Sequence, residues 1–371
     1  MKMRLFVDSD EFWSNLKEDT QNSKDYVYIQ TLSFEGDSIG KMVSEHLLSL
    51  RPRDIRVLAD LYTKYIISDK FYYRPKNFID KSVRLERKET IKMIDELNQH
   101  GVKVKYTNPV GPMLMRFPAR NHKKMVLIDD RISYIGGINF SDHNFKWHDL
   151  MMRIDDPDIT KFLKSDFLAT WGGRHVCSEK DFGDVKLHLC DGHTNKKTFQ
   201  ILFDLIENAK KSIFIESAYA SFPFYEKLRS AQNSGAKITI IAPKENNRKH
   251  IQRYTLWEAE RSGFDLWLYQ PNMTHVKAML IDESVLVLGS TNFDYVSYSV
   301  EQELFAIITN SEIINEFKSR IMEPDLLKSK KFAGEIIYKS GFLHYIGLQA
   351  VGAICTFPVK ILGQHLGGLS D

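Results

Sequence analysis

A histidine, a lysine two residues on and an aspartate five further occur together twice. His122, Lys124 and Asp129 lie in NHKKMVLIDD, and His275, Lys277 and Asp282 in THVKAMLIDE. Each copy is followed at the same offset by a glycine-led run ending in asparagine: Gly136-Gly137-Ile138-Asn139 and Gly289-Ser290-Thr291-Asn292. One such run could arise by chance, but two with matching glycine and asparagine offsets point to a duplicated half-domain. Two imidazoles, two ammonium groups and two amides suggest one symmetric site for an anionic substrate. A neutral imidazole can attack the phosphorus of a phosphodiester and form a covalent phosphohistidine. A second, protonated imidazole can give its proton to the departing alkoxide and then act as base toward water or an alcohol. Lysine and asparagine supply donors to the non-bridging oxygens, so the scheme calls for neither a metal nor a cofactor.

Geometry sorts the remaining candidates. Residues i and i+2 of a strand share a face, so on strands each histidine and its lysine reach one pocket. Asp129 and Asp282 lie seven residues past their histidines, beyond the strand, and read as acceptors for turn amides rather than substrate contacts. The nucleophile must be neutral and the acid charged, so the two rings need different surroundings. Downstream carboxylates can orient them: Asp149, ten residues after Asn139, and Glu301 and Glu303, nine and eleven after Asn292. Asp149 and Glu303 are the preferred partners. His143, His148, His188 and His193 show no metal-ligand spacing. The stretch LYTKYIISDKFYYRPKNF interleaves aromatic and basic residues. It reads as a base-binding surface, a lipid-facing one, or an amphipathic helix plus loop.

The elements that must position these groups also repeat. The motif offset is 275 minus 122, or 153 residues. YVYIQTLSF from Tyr26 matches SIFIESAYA from Ser212, and both alternate as strands do. Further strands are expected at IRVLADLY, VKVKYTN, KMVLID and ISYIGG. Their counterparts are AKITIIAP, FDLWLYQ, KAMLID and VLVLGS. Between them, LERKETIKMIDELNQHG carries apolar residues at helical spacing and ends at Gly101. PDITKFLKSDFLATWGG, with proline at its start and two glycines at its end, closes the first half. A helix near Glu312 to Met322, stopped by Pro324, closes the second. Strands alternating with helices imply an α/β fold with a largely parallel or mixed sheet in each half. The expected division is 1–173 for the first half, 174–192 as connector, 193–325 for the second half, and 326–371 as a tail.

The chain has 371 residues, enough for two units of ordinary size, and 43% of them are hydrophobic. A net charge of +3 does not demand nucleic acid but suits an anionic partner such as a lipid headgroup. Cys177, Cys190 and Cys355 are too few and scattered for a disulfide framework or a zinc site, which implies a reducing compartment. The N-terminus has no apolar core of signal-peptide length. In the tail, Lys328, Lys330 and Lys331 precede a glycine-rich apolar run interrupted by His344, Gln349, Pro358 and Lys360. A basic flank before such a run predicts contact with a membrane surface. The competing expectation is a helix covering an apolar groove.

The two motifs resemble the HKD signature of the phospholipase D superfamily over nearly all of residues 24–323. Their flanks, NHKKMVLIDDRISYIGGINFSD with Trp147-His148-Asp149 and GSTNFDYVSYSVEQEL, are most similar to bacterial cardiolipin synthases. The resemblance implies a phospholipase D-like fold of two pseudo-symmetric repeats with an active site at their interface. It also implies phosphatidyl transfer on phospholipids without a cofactor, with His122 as nucleophile and His275 as acid and base. Such an enzyme is expected in the cytoplasm, peripheral to or anchored in a membrane. Three features depart from the pattern. The chain has no pair of N-terminal membrane-spanning helices, it has Val296 and Glu301 where Arg and Asn are frequent, and it has an added apolar tail. A nuclease of the same superfamily would be more basic and lack the tail, so nucleic acid is not the expected partner. A non-catalytic lipid-binding protein would carry degenerate motifs, and both motifs here are intact. Nothing in the sequence sets the oligomeric state.

Overall fold

A computed structural model describes residues 1–334 together with 342–343, 345–350, 352–353 and 356–357. The chain forms two compact units, Met1–Val176 and Cys177–Asp371.

The first unit is built on nine strands: β1 (Lys2–Val7), β2 (Tyr26–Thr31), β3 (Asp54–Asp60), β4 (Ile66–Ile67), β5 (Lys70–Phe71), β6 (Val102–Thr107), β7 (Met125–Ile128), β8 (Ile132–Gly136) and β9 (Leu150–Asp155). Seven make one sheet in the order β1-β9-β8-β7-β2-β3-β6. β2, β3 and β6 run parallel, and the other neighbours are antiparallel. Parallel neighbours need crossovers. Helices Ser38–Ser49 and Lys81–Gln99 lie between those strands, capped by Asp37 and Asp80. Every residue of β2, β7 and β8 is buried, as expected for strands covered on both faces. Phe6, Phe12, Val27, Val57, Leu97 and Tyr134 belong to the core packed around this sheet.

The aromatic and basic stretch does not form the anticipated amphipathic helix with a loop. It folds as a one-turn helix (Tyr62–Tyr65), the β4–β5 hairpin and a second turn (Pro75–Phe78). The hairpin turn explains the break, because Ser68 and Asp69 both take positive φ, at 46° and 58°, which a helix cannot accommodate.

The second unit repeats the plan with β10 (Ser178–Asp181), β11 (Val185–Leu189), β12 (Ser212–Ser217), β13 (Lys237–Pro243), β14 (Asp265–Tyr269), β15 (Lys277–Ile281), β16 (Val285–Gly289), β17 (Leu304–Ile308) and β18 (Ser329–Lys331). The sheet order is β10-β11-β17-β16-β15-β12-β13-β14-β18. Its inner seven strands have the same order as the first unit's sheet, with β11 in the place of β1. The second core includes Phe199, Phe203, Ile215, Phe224, Tyr225 and Phe305.

Three boundaries differ from the sequence expectation. Residues 174–192 contain β10 and β11, because Val185, Leu187 and Leu189 alternate and are buried against β17. Pro324 does not end the closing helix. Ser311–Phe317 continues through a π-helical turn, Lys318–Met322, into Glu323–Leu327, and Pro324 follows directly on that wider turn, where the regular α-helical hydrogen-bond ladder is already interrupted. Finally, the lysine cluster is not a free flank. Lys330 and Lys331 lie in β18, paired with Leu268 and Trp267 of β14. Lys331 also forms an ion pair with Asp265 at 2.7 Å.

Beyond β18, residues 345–350 are helical. Tyr345 and Leu348 pack on the second core, and the Tyr345 ring lies 5.8 Å from that of Tyr254. Phe342, Leu343, Ile346 and Phe357 remain exposed. Among the described residues no helix is long and apolar enough to cross a membrane. His344, Cys355, Pro358 and Lys360 lie outside the described residues.

Candidate active site

In the first unit the segment before β7 presents His122 and Lys124, both buried. These residues precede the strand instead of lying in it. At least two of the segment's amides go to side-chain acceptors. The Asn121 N–H donates to Asp60 Oδ2 at 2.6 Å, and the Lys123 N–H donates to Asn121 Oδ1 at 3.3 Å. Gln30 Nε2 donates to the same Asn121 oxygen at 2.8 Å. Asp60, at the end of β3, also accepts from Arg120 at 2.8 Å. Burial pushes the Asp60 carboxyl up to about 6, against the pull of Arg120 and the Asn121 and Tyr62 amides. Lys124 Nζ donates to the His122 carbonyl at 2.7 Å, which holds the ammonium beside the histidine. Between them, Lys123 is fixed by Asp166 of helix Pro157–Trp171, with Nζ 2.7 and 2.9 Å from the two carboxylate oxygens.

The second unit repeats this with different side chains. Lys277 opens β15 and His275 precedes it. Lys277 Nζ donates to the His275 carbonyl at 2.7 Å and lies 3.0 Å from both ring nitrogens. Thr274, in the place of Asn121, donates its hydroxyl to Glu216 of β12, in the place of Gln30. Val276 replaces Lys123 and is fully buried.

Both asparagines are buried. Asn139 Oδ1 accepts from the Thr31 hydroxyl and the Leu32 N–H, each at 3.2 Å, and its Nδ2 donates to Asn144 at 3.3 Å. Asn292 Oδ1 has no hydrogen-bond partner among the described residues. Parallel bridges from Phe34 to Phe140 and from Ala220 to Phe293 tie each asparagine's loop to the segment after β2 or β12.

The downstream carboxylates sit against the glycine-run motifs. Asp149 is buried and accepts from the Leu150 N–H at 2.8 Å. A Cβ added to Gly137 would lie 2.2 Å from Asp149 Oδ1, so only glycine admits the carboxylate there. In the second unit Ser290 occupies the position of Gly137, and its hydroxyl donates to the buried Glu303. Ser297 also donates to Glu303, at 2.7 Å. Glu301 is more peripheral and accepts from the same Ser297 hydroxyl at 3.2 Å. Burial, with Glu303 nearby, pushes Asp294 up to about 6, although the Ser297 N–H donates to it.

Asp129 and Asp282 stand apart from the histidines. Asp129 accepts from the backbone N–H groups of Lys24, Asp25 and Tyr26, and Asp282 from those of Lys210, Lys211 and Ser212. Each carboxylate thus secures the turn entering β2 or β12.

Sequence reasoning missed the supports. Lys123–Asp166, Asp60–Arg120 and Gln30–Asn121 bind residues distant in sequence, so no local spacing marks them. Glu216 did leave a signal, a lone carboxylate inside the apolar strand SIFIES.

The family model described as cardiolipin synthase, phospholipase D-like domain, matches residues 16–171 and 202–323. Cardiolipin synthase 1 of Staphylococcus epidermidis is 25% identical over 364 residues, spanning 91% of this chain and 70% of that one. The major cardiolipin synthase ClsA of Bacillus subtilis is 24% identical over 357 residues, spanning 89% and 70%. In fold, the chain is similar to phosphatidylserine synthase of Haemophilus influenzae, with a TM-score of 0.70, 13% identity, and 97% and 94% of the two chains covered. It is also similar to polyphosphate kinase of Porphyromonas gingivalis, with a TM-score of 0.59, 12% identity, and 95% and 56% covered. With both motifs, their glycine and asparagine runs and both sheets in place, the chain belongs to the cardiolipin synthase, phospholipase D-like domain family.

Proposed function

We propose that the chain is a phosphatidyltransferase of the phospholipase D type that acts on phospholipids. The observation that carries this is the buried His–Lys–Asn set present in full in both units. In the proposed reaction a His122 ring nitrogen attacks the phosphodiester phosphorus, a P–N bond forms, and the P–O bond to the leaving alcohol breaks. The His275 imidazolium gives its proton to that alkoxide. The neutral His275 then takes a proton from an incoming alcohol, whose oxygen attacks phosphorus and releases His122. Lys124, Lys277, Asn139 and Asn292 offset charge on the non-bridging oxygens. Asp149 and Glu303 serve to orient the rings. If water replaces the alcohol, the same steps give phospholipase D hydrolysis.

Peripheral attachment to a membrane through the tail is the finer part of the proposal. The exposed Phe342, Leu343, Ile346 and Phe357 support it, because apolar side chains gain from burial in a bilayer interface. The Lys331 ion pair with Asp265 weakens the electrostatic contribution, so apolar insertion carries most of the attachment.

The test is incubation with labelled phosphatidylglycerol, and separately with single-stranded DNA. A diphosphatidyl product indicates transfer, and phosphatidic acid indicates hydrolysis. His122→Ala should abolish turnover and the covalent adduct, whereas His275→Asn should slow release and accumulate adduct on His122. Full turnover in either variant, or cleavage of DNA but not lipid, would sink the proposal. An adduct on His275 would exchange the two roles.

A further inference from the structure

Three carboxylates on two elements of the first unit converge away from the histidine motif. Glu35 and Asp37 lie in the loop between β2 and helix Ser38–Ser49, and Glu86 projects from helix Lys81–Gln99. One oxygen from each lies within 4.8 Å of the others. Glu35 is only 1% exposed. Its Oε2 accepts from the Ser68 N–H at 2.9 Å, while its Oε1 is buried without a hydrogen-bond partner. Glu86 shows the same division: Oε2 accepts from the Ser68 hydroxyl at 2.6 Å, and Oε1 is buried without a partner. Asp37 is held by the Gly40 N–H at 2.9 Å and the Asp142 N–H at 2.6 Å. No lysine or arginine among the described residues forms an ion pair with any of the three.

The cluster cannot relax by spreading. A Cβ on Gly36 would lie 2.3 Å from the Thr90 backbone nitrogen, so the loop is pressed directly onto helix Lys81–Gln99. The Gly36 N–H donates to Thr90 Oγ1 at 2.7 Å and locks that contact. A buried carboxylate oxygen without a donor is costly, and two near a third carboxylate more so.

The geometry points to a divalent-cation site, best fitted to calcium, formed by Glu35, Asp37 and Glu86. It is independent of the proposed transferase chemistry. A calcium ion takes oxygen ligands at about 2.3–2.6 Å, which places opposite ligands roughly 4.6–5.2 Å apart. The cluster's oxygens, all within 4.8 Å of one another, fall inside that span, and they are all hard donors. Two of its carboxylates already have fixed duties, Asp37 as helix cap and Glu35 at the hairpin turn. Calcium tolerates the irregular shell this imposes better than magnesium does, since magnesium demands a near-regular octahedron. A single proton shared by Glu35 and Glu86 is the alternative occupant. It would satisfy that pair and leave Asp37 facing it. Burial raises Glu35 well above the usual carboxylate range and Asp37 to about 6, as expected where negative charge lacks a counterpart. The ion would tie together the loop after β2, the β4–β5 turn and helix Lys81–Gln99. The same loop carries the Leu32 N–H that donates to Asn139.

The test uses the full chain freed of metal with chelating resin, followed by calorimetric titration with CaCl2 and thermal melting with CaCl2 or MgCl2. The expected results are single-site calcium binding and a melting rise of about 5–10 °C at roughly a hundredfold excess over the dissociation constant. Glu35→Gln and Glu86→Gln should each fold and lose both the heat and the shift. Failure of the wild type to bind calcium at millimolar concentration would overturn the assignment. So would a calcium response unchanged in both variants, or a response to magnesium alone. If Glu35→Gln melts higher than the wild type while calcium has no effect, the occupant is the shared proton.

Discussion

Replacing Lys123 with methionine removes an ammonium that is 1% exposed and leaves Asp166, also 1% exposed, without its counter-ion. Breaking a buried pair from one side costs about 3–5 kcal/mol, because the remaining charge stays desolvated. For a unit of this size that corresponds to a fall of about 6–20 °C in melting temperature. Lys123→Met with Asp166→Leu removes both charges and should recover most of the loss, because an apolar pair of similar volume often does as well as a buried ion pair. The assay is urea denaturation of the two single variants and the double variant, read by the fluorescence of Trp13, Trp147 and Trp171 in the first unit. Activity is a second readout. Lys123 lies between His122 and Lys124, and a displacement of about 1 Å there costs on the order of a hundredfold in rate. Single variants that each lose less than about 1 kcal/mol would refute the reasoning, as would a double variant worse than either single.

Three further outcomes are expected. Gly137→Ala drives a methyl into the Asp149 carboxylate at 2.2 Å and should cost about 1–3 kcal/mol together with a marked loss of kcat; Gly172→Ala, whose nearest contact would be 3.4 Å, is the control, and equal behaviour of the two would refute the crowding argument. Burial raises the Asp282 carboxyl, but the amides of Lys210, Lys211 and Ser212 outweigh it and hold it below the usual range. A depressed folded value stabilises above the unfolded pKa of about 4 and is lost as pH falls below it, so Asp282→Asn should flatten the acid limb of a stability–pH curve, and an unchanged limb would count against it. Leu343→Glu with Ile346→Glu, at positions 68% and 47% exposed, should reduce flotation with anionic liposomes without lowering the melting temperature; undiminished flotation would remove the tail from the attachment.

The parts of the fold legible in the sequence were those with short-range causes. Alternation in YVYIQT and SIFIES marked β2 and β12, and the proline and double glycine bounded helix Pro157–Trp171. The seven-residue step from His122 to Asp129 carried that carboxylate past β7, where it meets turn amides. Other features depended on groups far away in the chain. The segment 174–192 resembled a connector because SEKD is polar, yet its neighbour VKLHL buries alternate residues against β17. The lysines before the tail looked like a lipid-facing flank because their partners, Asp265 and the β14 backbone, lie some sixty residues earlier. Asp166 likewise could not be linked to Lys123 across forty-three positions.

β18 has a practical consequence for shortening the chain. Its three residues occupy the outer edge of β14, and two of them are lysines. Charged residues on an edge strand discourage further strands from adding to a sheet. A chain ended at Leu327 would lose that guard and leave the backbone of β14 open to a neighbouring molecule's strand. Such a protein would be prone to self-association, and a loss of activity in it could be mistaken for a loss of lipid contact. A stop after Gly334 keeps the guarded edge and removes only residues 335–371, so it is the cleaner way to ask what the tail does.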